Sequence, residues 1–266
     1  MRSVPALLIG LLFVTAMATG ARSAEPDPWP GLKAEIFQEI PILETTGVVT
    51  LEAPERAEDA ALVPVAIVLA AEHAREIRKV TLVIDQNPAP VAAVLSFGPA
   101  GGLGERRIET RVRVDRYSNI RAIAEAADGR LYMAARFVKA SGGCSAPASK
   151  DAELALKDLG KMLIKSQPLA GERANLADTQ VMIRHPNYSG LQIDETTRGY
   201  RPARFIQTLQ INLGDELLLS VEAGISIAEN PHFRLIHDLD AGKSINVTAR
   251  DSDGNEFAGS HRPSGS

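Results

Sequence analysis

One cysteine, Cys144, is all the thiol this chain has, so no disulfide can form within it. Nor is there an excess of positive charge: 29 Lys and Arg stand against 33 Asp and Glu, for a formal net charge of −4. With no basic stripe and no aromatic-rich basic strand, nothing here neutralises a phosphate backbone, and nucleic acid is excluded as the expected partner. Hydrolase signatures are missing as well, with neither Gly-x-Ser-x-Gly nor His-Glu-x-x-His in the sequence. What remains is an ordinary composition, 45% hydrophobic over 266 residues, which is enough for one large domain or two small ones.

The N-terminus carries a compartment signal. Arg2 supplies a positive start and Val4 to Ala18 an apolar run ending in small residues, the pattern of a cleavable secretory signal over residues 1–24. The run is short for a spanning helix, so the expected location is the periplasm, with no membrane contact after cleavage. A lone thiol in that oxidising space has to be protected, modified or paired with another molecule, and a disulfide-linked dimer is one such pairing.

Residues 25–46 start with the Pro-rich stretch Glu25 to Pro30 and continue into a short helix near Gly31 to Gln38. From Val48 the period becomes two. Strands are predicted at Val48 to Leu51, Val63 to Leu69, Lys79 to Asp85, Val91 to Phe97, Arg107 to Val114 and Leu131 to Lys139. Pro64 marks an edge. In Arg107 to Val114 the residues Ile108, Thr110, Val112 and Val114 share one buried face, and Arg107, Glu109, Arg111 and Arg113 the wet one. Asp151 to Lys165 differs: Leu154, Leu159, Met162 and Leu163 recur at helical spacing and predict an amphipathic helix, with a linker to Asn175. Further strands are predicted at Gln180 to Arg184, Ala203 to Leu213, Glu216 to Ala223, His232 to His237 and Ser244 to Arg250, with hairpin turns at Gly214 and at Asp251 to Asn255. The expected fold is all-β: two antiparallel, immunoglobulin-like sandwiches at 47–140 and 176–260, joined by a loop at 141–150 and a helical linker at 151–175, with a tail at 261–266.

The cysteine lies in Ser141-Gly142-Gly143-Cys144-Ser145-Ala146-Pro147. A solitary cysteine is commonly a small buried hydrophobe. Two adjacent glycines, however, cannot pack a core and lose backbone entropy when ordered, so the stretch predicts a mobile surface segment presenting a free thiol. Other candidate sites read as structural. His185 is too far along the chain from Cys144 for a copper site, and His232 and His237 differ by an odd number on one strand. Asp251 to Glu256 lacks the glycine position and the bidentate Glu of a calcium loop. No metal or cofactor is expected. Arg184-His185-Pro186 reads either as a strand-ending turn or as the rim of a partner-docking surface.

These segments together resemble the SoxY and SoxZ subunits of bacterial thiosulfate oxidation, joined in one chain, and most closely the SoxYZ-like carriers associated with quinoprotein dehydrogenases. The SoxY resemblance rests on Val83 to Pro90, Thr110 to Arg113 and Lys139 to Cys144; the SoxZ resemblance rests on Arg184-His185-Pro186 through Leu191 and on Pro202 to Ile206. It implies a non-enzymatic carrier in which Cys144 covalently holds a sulfur-containing small molecule, Gly142 and Gly143 act as the hinge of a swinging arm, and separate sulfur-oxidising or quinoprotein dehydrogenase proteins are the partners. Two departures stand out. The cysteine is internal, not in a C-terminal tail, and Ser145-Ala146-Pro147 follows it in place of glycine. An arm held at both ends, with about four residues to each anchor at roughly 3.5 Å apiece, reaches on the order of 14 Å.

Overall fold

Alternation of apolar and polar residues builds strands in both halves of the chain, and their order in the sheets determines where the cysteine comes to lie. The computed structural model describes residues 27–44, 47–101, 106–147, 156–194, 196–240 and 242–262. The signal segment 1–24 lies outside the described residues, as do residues 148–150 of the predicted loop and residues 151–155 at the start of the predicted helix at 151–165. The first half contains α1 (Trp29–Phe37), β1 (Ile42–Glu44), β2 (Val49–Glu52), β3 (Val63–Leu69), α2 (Ala71–Ala74), β4 (Ile77–Ile84), β5 (Val91–Phe97), β6 (Arg106–Val112), β7 (Ser118–Ala126) and β8 (Leu131–Val138). The second contains β9 (Met162–Pro168), β10 (Leu176–Ile183), β11 (Ile206–Leu213), β12 (Glu216–Ala223), β13 (His232–Asp238), β14 (Ile245–Asp251) and β15 (Glu256–His261).

The protein is all-β, and its two halves share both sheets. One sheet runs β1-β8-β7-β4-β5-β12-β11-β14-β15 and the other β2-β3-β6-β13-β10-β9. Each half has the same arrangement: the order β8-β7-β4-β5 facing β2-β3-β6 is repeated as β15-β14-β11-β12 facing β9-β10-β13. These are two immunoglobulin-like sandwiches set edge to edge. They join twice. β5 pairs antiparallel with β12 from Phe97↔Leu219 to Ala93↔Ala223, and β6 with β13 from Glu109↔Arg234 to Arg107↔Ile236. Edge strands that would otherwise be open to aggregation are thereby paired with each other, and one apolar core extends through both halves, from Val49, Ile67 and Leu82 to Val181, Leu209 and Val247.

The strand faces follow from sequence where the pleat alone decides them. In β6, Ile108, Thr110 and Val112 are buried as the alternation requires. Pro64 is exposed on β3 where β2 has already ended, since β2 pairs only with Ala66 to Leu69; its missing N–H therefore costs no ladder bond. On the outer face of the larger sheet, α1 packs Phe37, Trp29, Leu32 and Ile36 over Val83, Ile123, Leu131 and Met133. Beneath Trp29 the Arg121 guanidinium lies 4.2 Å from the ring centroid and forks onto the buried Asp85 carboxylate at 2.8–3.0 Å.

Three expectations are corrected. The helical linker does not reach Lys165: Met162 to Lys165 belong to β9, paired with Ile183 to Gln180 of β10. Met162 and Ile164 face the core while Leu163 is half exposed, a period of two that the three- and four-residue spacing of Leu159, Met162 and Leu163 concealed. Arg113, assigned to the wet face, is 1% exposed. The central strand β7, with β1 and β15, escaped the sequence reading; β7 (Ser-Asn-Ile-Arg-Ala-Ile-Ala-Glu-Ala) is alanine-rich, which disguises a strand buried between β4 and β8.

Candidate functional site

After β8 the chain does not swing free. The Lys139 N–H donates to the Glu55 carbonyl at 2.8 Å, and the Ala57 N–H returns a bond to the Lys139 carbonyl at 3.3 Å. Gly142 then donates to the Asp115 carbonyl at 2.7 Å and Gly143 to that of Val114 at 3.0 Å, while Val114 itself donates to Ala60 at 2.8 Å. Three backbone segments are stitched together here. Gly142 has φ +80°, a conformation that favours glycine. At Gly143 the reason for glycine is space: a Cβ would stand 2.0 Å from the Ala60 carbonyl oxygen and 2.7 Å from that of Val114. Gly143 is therefore a close-packing residue, and the expected hinge is a seated loop.

Cys144 is consequently 0% exposed, which overturns the expectation of a thiol on a surface segment. A disulfide between two copies would require this loop to open first. The other half of the protein closes over it. The Ser189 hydroxyl donates to the Cys144 carbonyl and accepts the Leu191 N–H at 3.2 Å, and the Ser189 N–H donates to Gln192 Oε1 at 2.9 Å. Arg113 bridges the halves: Nη1 donates to the Gly143 carbonyl at 3.2 Å and Nη2 to the Asn187 carbonyl at 3.4 Å. Beside it, Asn87 Nδ2 donates to the Arg113 carbonyl at 2.7 Å and to Ser226 Oγ at 2.9 Å, while Asn87 Oδ1 accepts the Asp115 N–H at 2.8 Å.

The segment that covers the cysteine loop is held by His185 and Asn187. Asn187 adopts φ +47°; its Oδ1 accepts the Ile206 N–H at 2.9 Å and its Nδ2 donates to the Ile227 carbonyl at 2.8 Å. Its N–H donates to His185 Nδ1 at 3.0 Å, so that nitrogen is an acceptor and the proton sits on Nε2, which faces Asp251 Oδ2 at 3.5 Å. Burial pushes the His185 pKa below its ordinary value despite Asp251. Asp251 also accepts the N–H groups of Asp253 and Asn255 at 3.0 and 2.8 Å and Arg204 Nε at 3.2 Å. His185 is thus 0% exposed and cannot form a docking rim; Arg184 remains exposed, its backbone bonded to Gly160 and Lys161.

Desolvation dominates the electrostatics of the thiol. Burial, and secondarily Asp115, push the Cys144 pKa up to about 12, with Arg113 opposing. Burial also lowers the pKa of the Arg113 guanidinium. In this seated state the thiolate is scarce at neutral pH, on the order of one molecule in 10⁵. Arg113, Asn187 and Ser189 were not singled out from sequence as partners of the thiol, because their roles depend on a contact between halves distant in the chain. The one available signal was Asn187-Tyr188-Ser189 directly after His185-Pro186.

Two like sandwiches are fused through both sheets, and the sole thiol is held where they meet. Comparison with known proteins agrees half by half. Residues 33–144 match the family described as sulfur oxidation protein SoxY, and residues 164–262 match sulphur oxidation protein SoxZ. The chain is a SoxY domain followed by a SoxZ domain in one polypeptide, a fused SoxYZ-like arrangement. Among solved structures, the sulfur carrier protein SoxY from Chlorobium limicola f thiosulfatophilum is 26% identical over 42% of this chain and 91% of that one, with a TM-score of 0.34. A Parabacteroides merdae β-glucuronidase is 10% identical over 83% of this chain and 25% of that one, with a TM-score of 0.23. No curated protein matches the chain.

Proposed function

We propose that this protein is a periplasmic, non-enzymatic carrier that holds sulfur compounds covalently on Cys144, in a system linked to a quinoprotein dehydrogenase. The observation that carries the reading is the position of the thiol: the SoxY match ends at Cys144, and the SoxZ half supplies the residues that cover it. The cycle has a closed and an open state. Closed, the thiol is protonated and out of reach. Once the loop lifts off Ser189, the thiol titrates at about 8.5 and a few per cent of it is thiolate at neutral pH. That thiolate attacks the sulfur of an oxidised sulfur compound, forming an S–S bond and expelling an anionic leaving group, and a partner protein later takes the cargo. Intact-mass analysis of periplasmic material tests this: sulfur adducts are expected on the wild type and none on Cys144→Ser. An unmodified thiol throughout, in cells oxidising sulfur compounds, would refute it.

The burial of Cys144 favours one second reading, an accessory protein that supports the dehydrogenase through its surfaces without covalent chemistry. Full dehydrogenase activity in a Cys144→Ser strain, set against loss of activity on deletion, would establish that reading in place of the first.

A further inference from the structure

Arg113 is 1% exposed, yet among the described residues no ion pair neutralises its charge. Both Nη groups are spent on neutral carbonyl oxygens, of Gly143 and Asn187, and Nε has no acceptor among the described residues. A buried guanidinium left in this state is costly, and a charged acceptor would relieve it. The carbonyl that Nη1 holds belongs to Gly143, the residue before Cys144, and the guanidinium and the thiol influence each other electrostatically. The remaining charges in the neighbourhood are carboxylates: Asp115 acts on Cys144, and Glu229 and Asp59 act on Arg113.

We propose that Arg113 is a positioning residue that senses the charge on Cys144, drawing the loop back to the seam when the thiol carries an anionic group and leaving it looser when the group is neutral. The inference rests on the carrier reading of Cys144. With a neutral thiol the guanidinium holds the loop only through the Gly143 carbonyl. With an anion attached, its free Nε and the Nη that Gly143 now occupies both gain a charged acceptor. Closure of the seam then depends on the chemical state of the cargo, and the loaded and unloaded carriers differ in how far Cys144 projects.

The test needs two adducts of nearly equal size and different charge. Iodoacetate converts the Cys144 thiolate to S–CH2–COO⁻ and iodoacetamide converts it to S–CH2–CONH2, iodide leaving in each case; the full chain is alkylated in mild denaturant and refolded. In the wild type the carboxymethyl form is expected to melt above the carbamidomethyl form by roughly 3–12 °C, the shift typical of one new charged hydrogen bond in a chain of this size. In Arg113→Gln the order should vanish or invert, because only the carboxylates remain. Arg113→Lys, which keeps the charge, should retain the order and serves in place of Arg113→Gln if that variant does not fold. Equal melting of the two wild-type forms, or a gap untouched by Arg113→Gln or lost in Arg113→Lys, overturns the proposal. Because the adducts are synthetic, this outcome is independent of whether cells load sulfur onto Cys144, which the mass of native material decides separately.

Discussion

Replacing Gly143 by alanine tests directly whether the packed loop controls access to the thiol. The added Cβ meets backbone, not a pliable side chain, at 2.0 Å from the Ala60 oxygen and 2.7 Å from the Val114 oxygen, so the loop itself has to move. Overpacking of this kind costs about 1–3 kcal/mol, and the strain exists only while the loop is seated. At tenfold per 1.36 kcal/mol, the open fraction should rise roughly 5- to 150-fold. The assay is the rate of alkylation of Cys144 by iodoacetamide in native buffer, followed by mass. The pH profile supplies a second readout: wild-type labelling should keep climbing well above pH 8.5, since the seated thiol titrates near 12, whereas the variant should level off closer to the free-thiol value. Circular dichroism establishes that the rest of the fold is retained. Ser189→Ala, which removes the bond to the Cys144 carbonyl and the acceptor of the Leu191 N–H, should move the rate in the same direction by a smaller factor. A folded Gly143→Ala protein that labels at the wild-type rate with the wild-type pH profile would refute the argument that this loop gates the thiol.

Two further outcomes concern the frame around the site. Arg121→Ala strands the buried Asp85 carboxylate and strips Trp29 of its cation, so urea denaturation should show a loss of about 3–5 kcal/mol; a loss below about 1 kcal/mol would mean that α1 and this pair contribute little. Acid should loosen the SoxZ half. His185, His232 and His237 are all held below their ordinary pKa by burial, so their contribution to stability is present above about pH 6.5 and is lost as the pH falls, when the unfolded chain takes up protons that the folded one refuses. The melting temperature should therefore drop between pH 7 and pH 5, and His185→Asn should flatten part of that slope; a melting curve insensitive to pH over this range would contradict the placement of these rings.

The sequence by itself determined the strands whose pleat is self-sufficient. β3, β5, β6 and β12 alternate or run apolar strongly enough to be read alone, and the single cysteine with its two glycines marked the place of interest. It also determined that the chain divides into a SoxY-like and a SoxZ-like half, through short motifs with a fixed order. Burial of the thiol was decided only in three dimensions. Glycine pairs can mean freedom or close approach, and the difference at Gly143 is the carbonyl of Ala60, which lies more than eighty positions away in the chain. Arg113 reads as a wet residue on its own strand and becomes buried because Asn187 and Gly143 close over it from opposite halves. The strand at Met162 to Pro168 is likewise a tertiary outcome, since its helical spacing gives way to the ladder offered by β10. Local alternation reports which side chains a single strand can bury; it carries no information about which surface a second sandwich will cover, and that covering is what turns an exposed thiol into a guarded one.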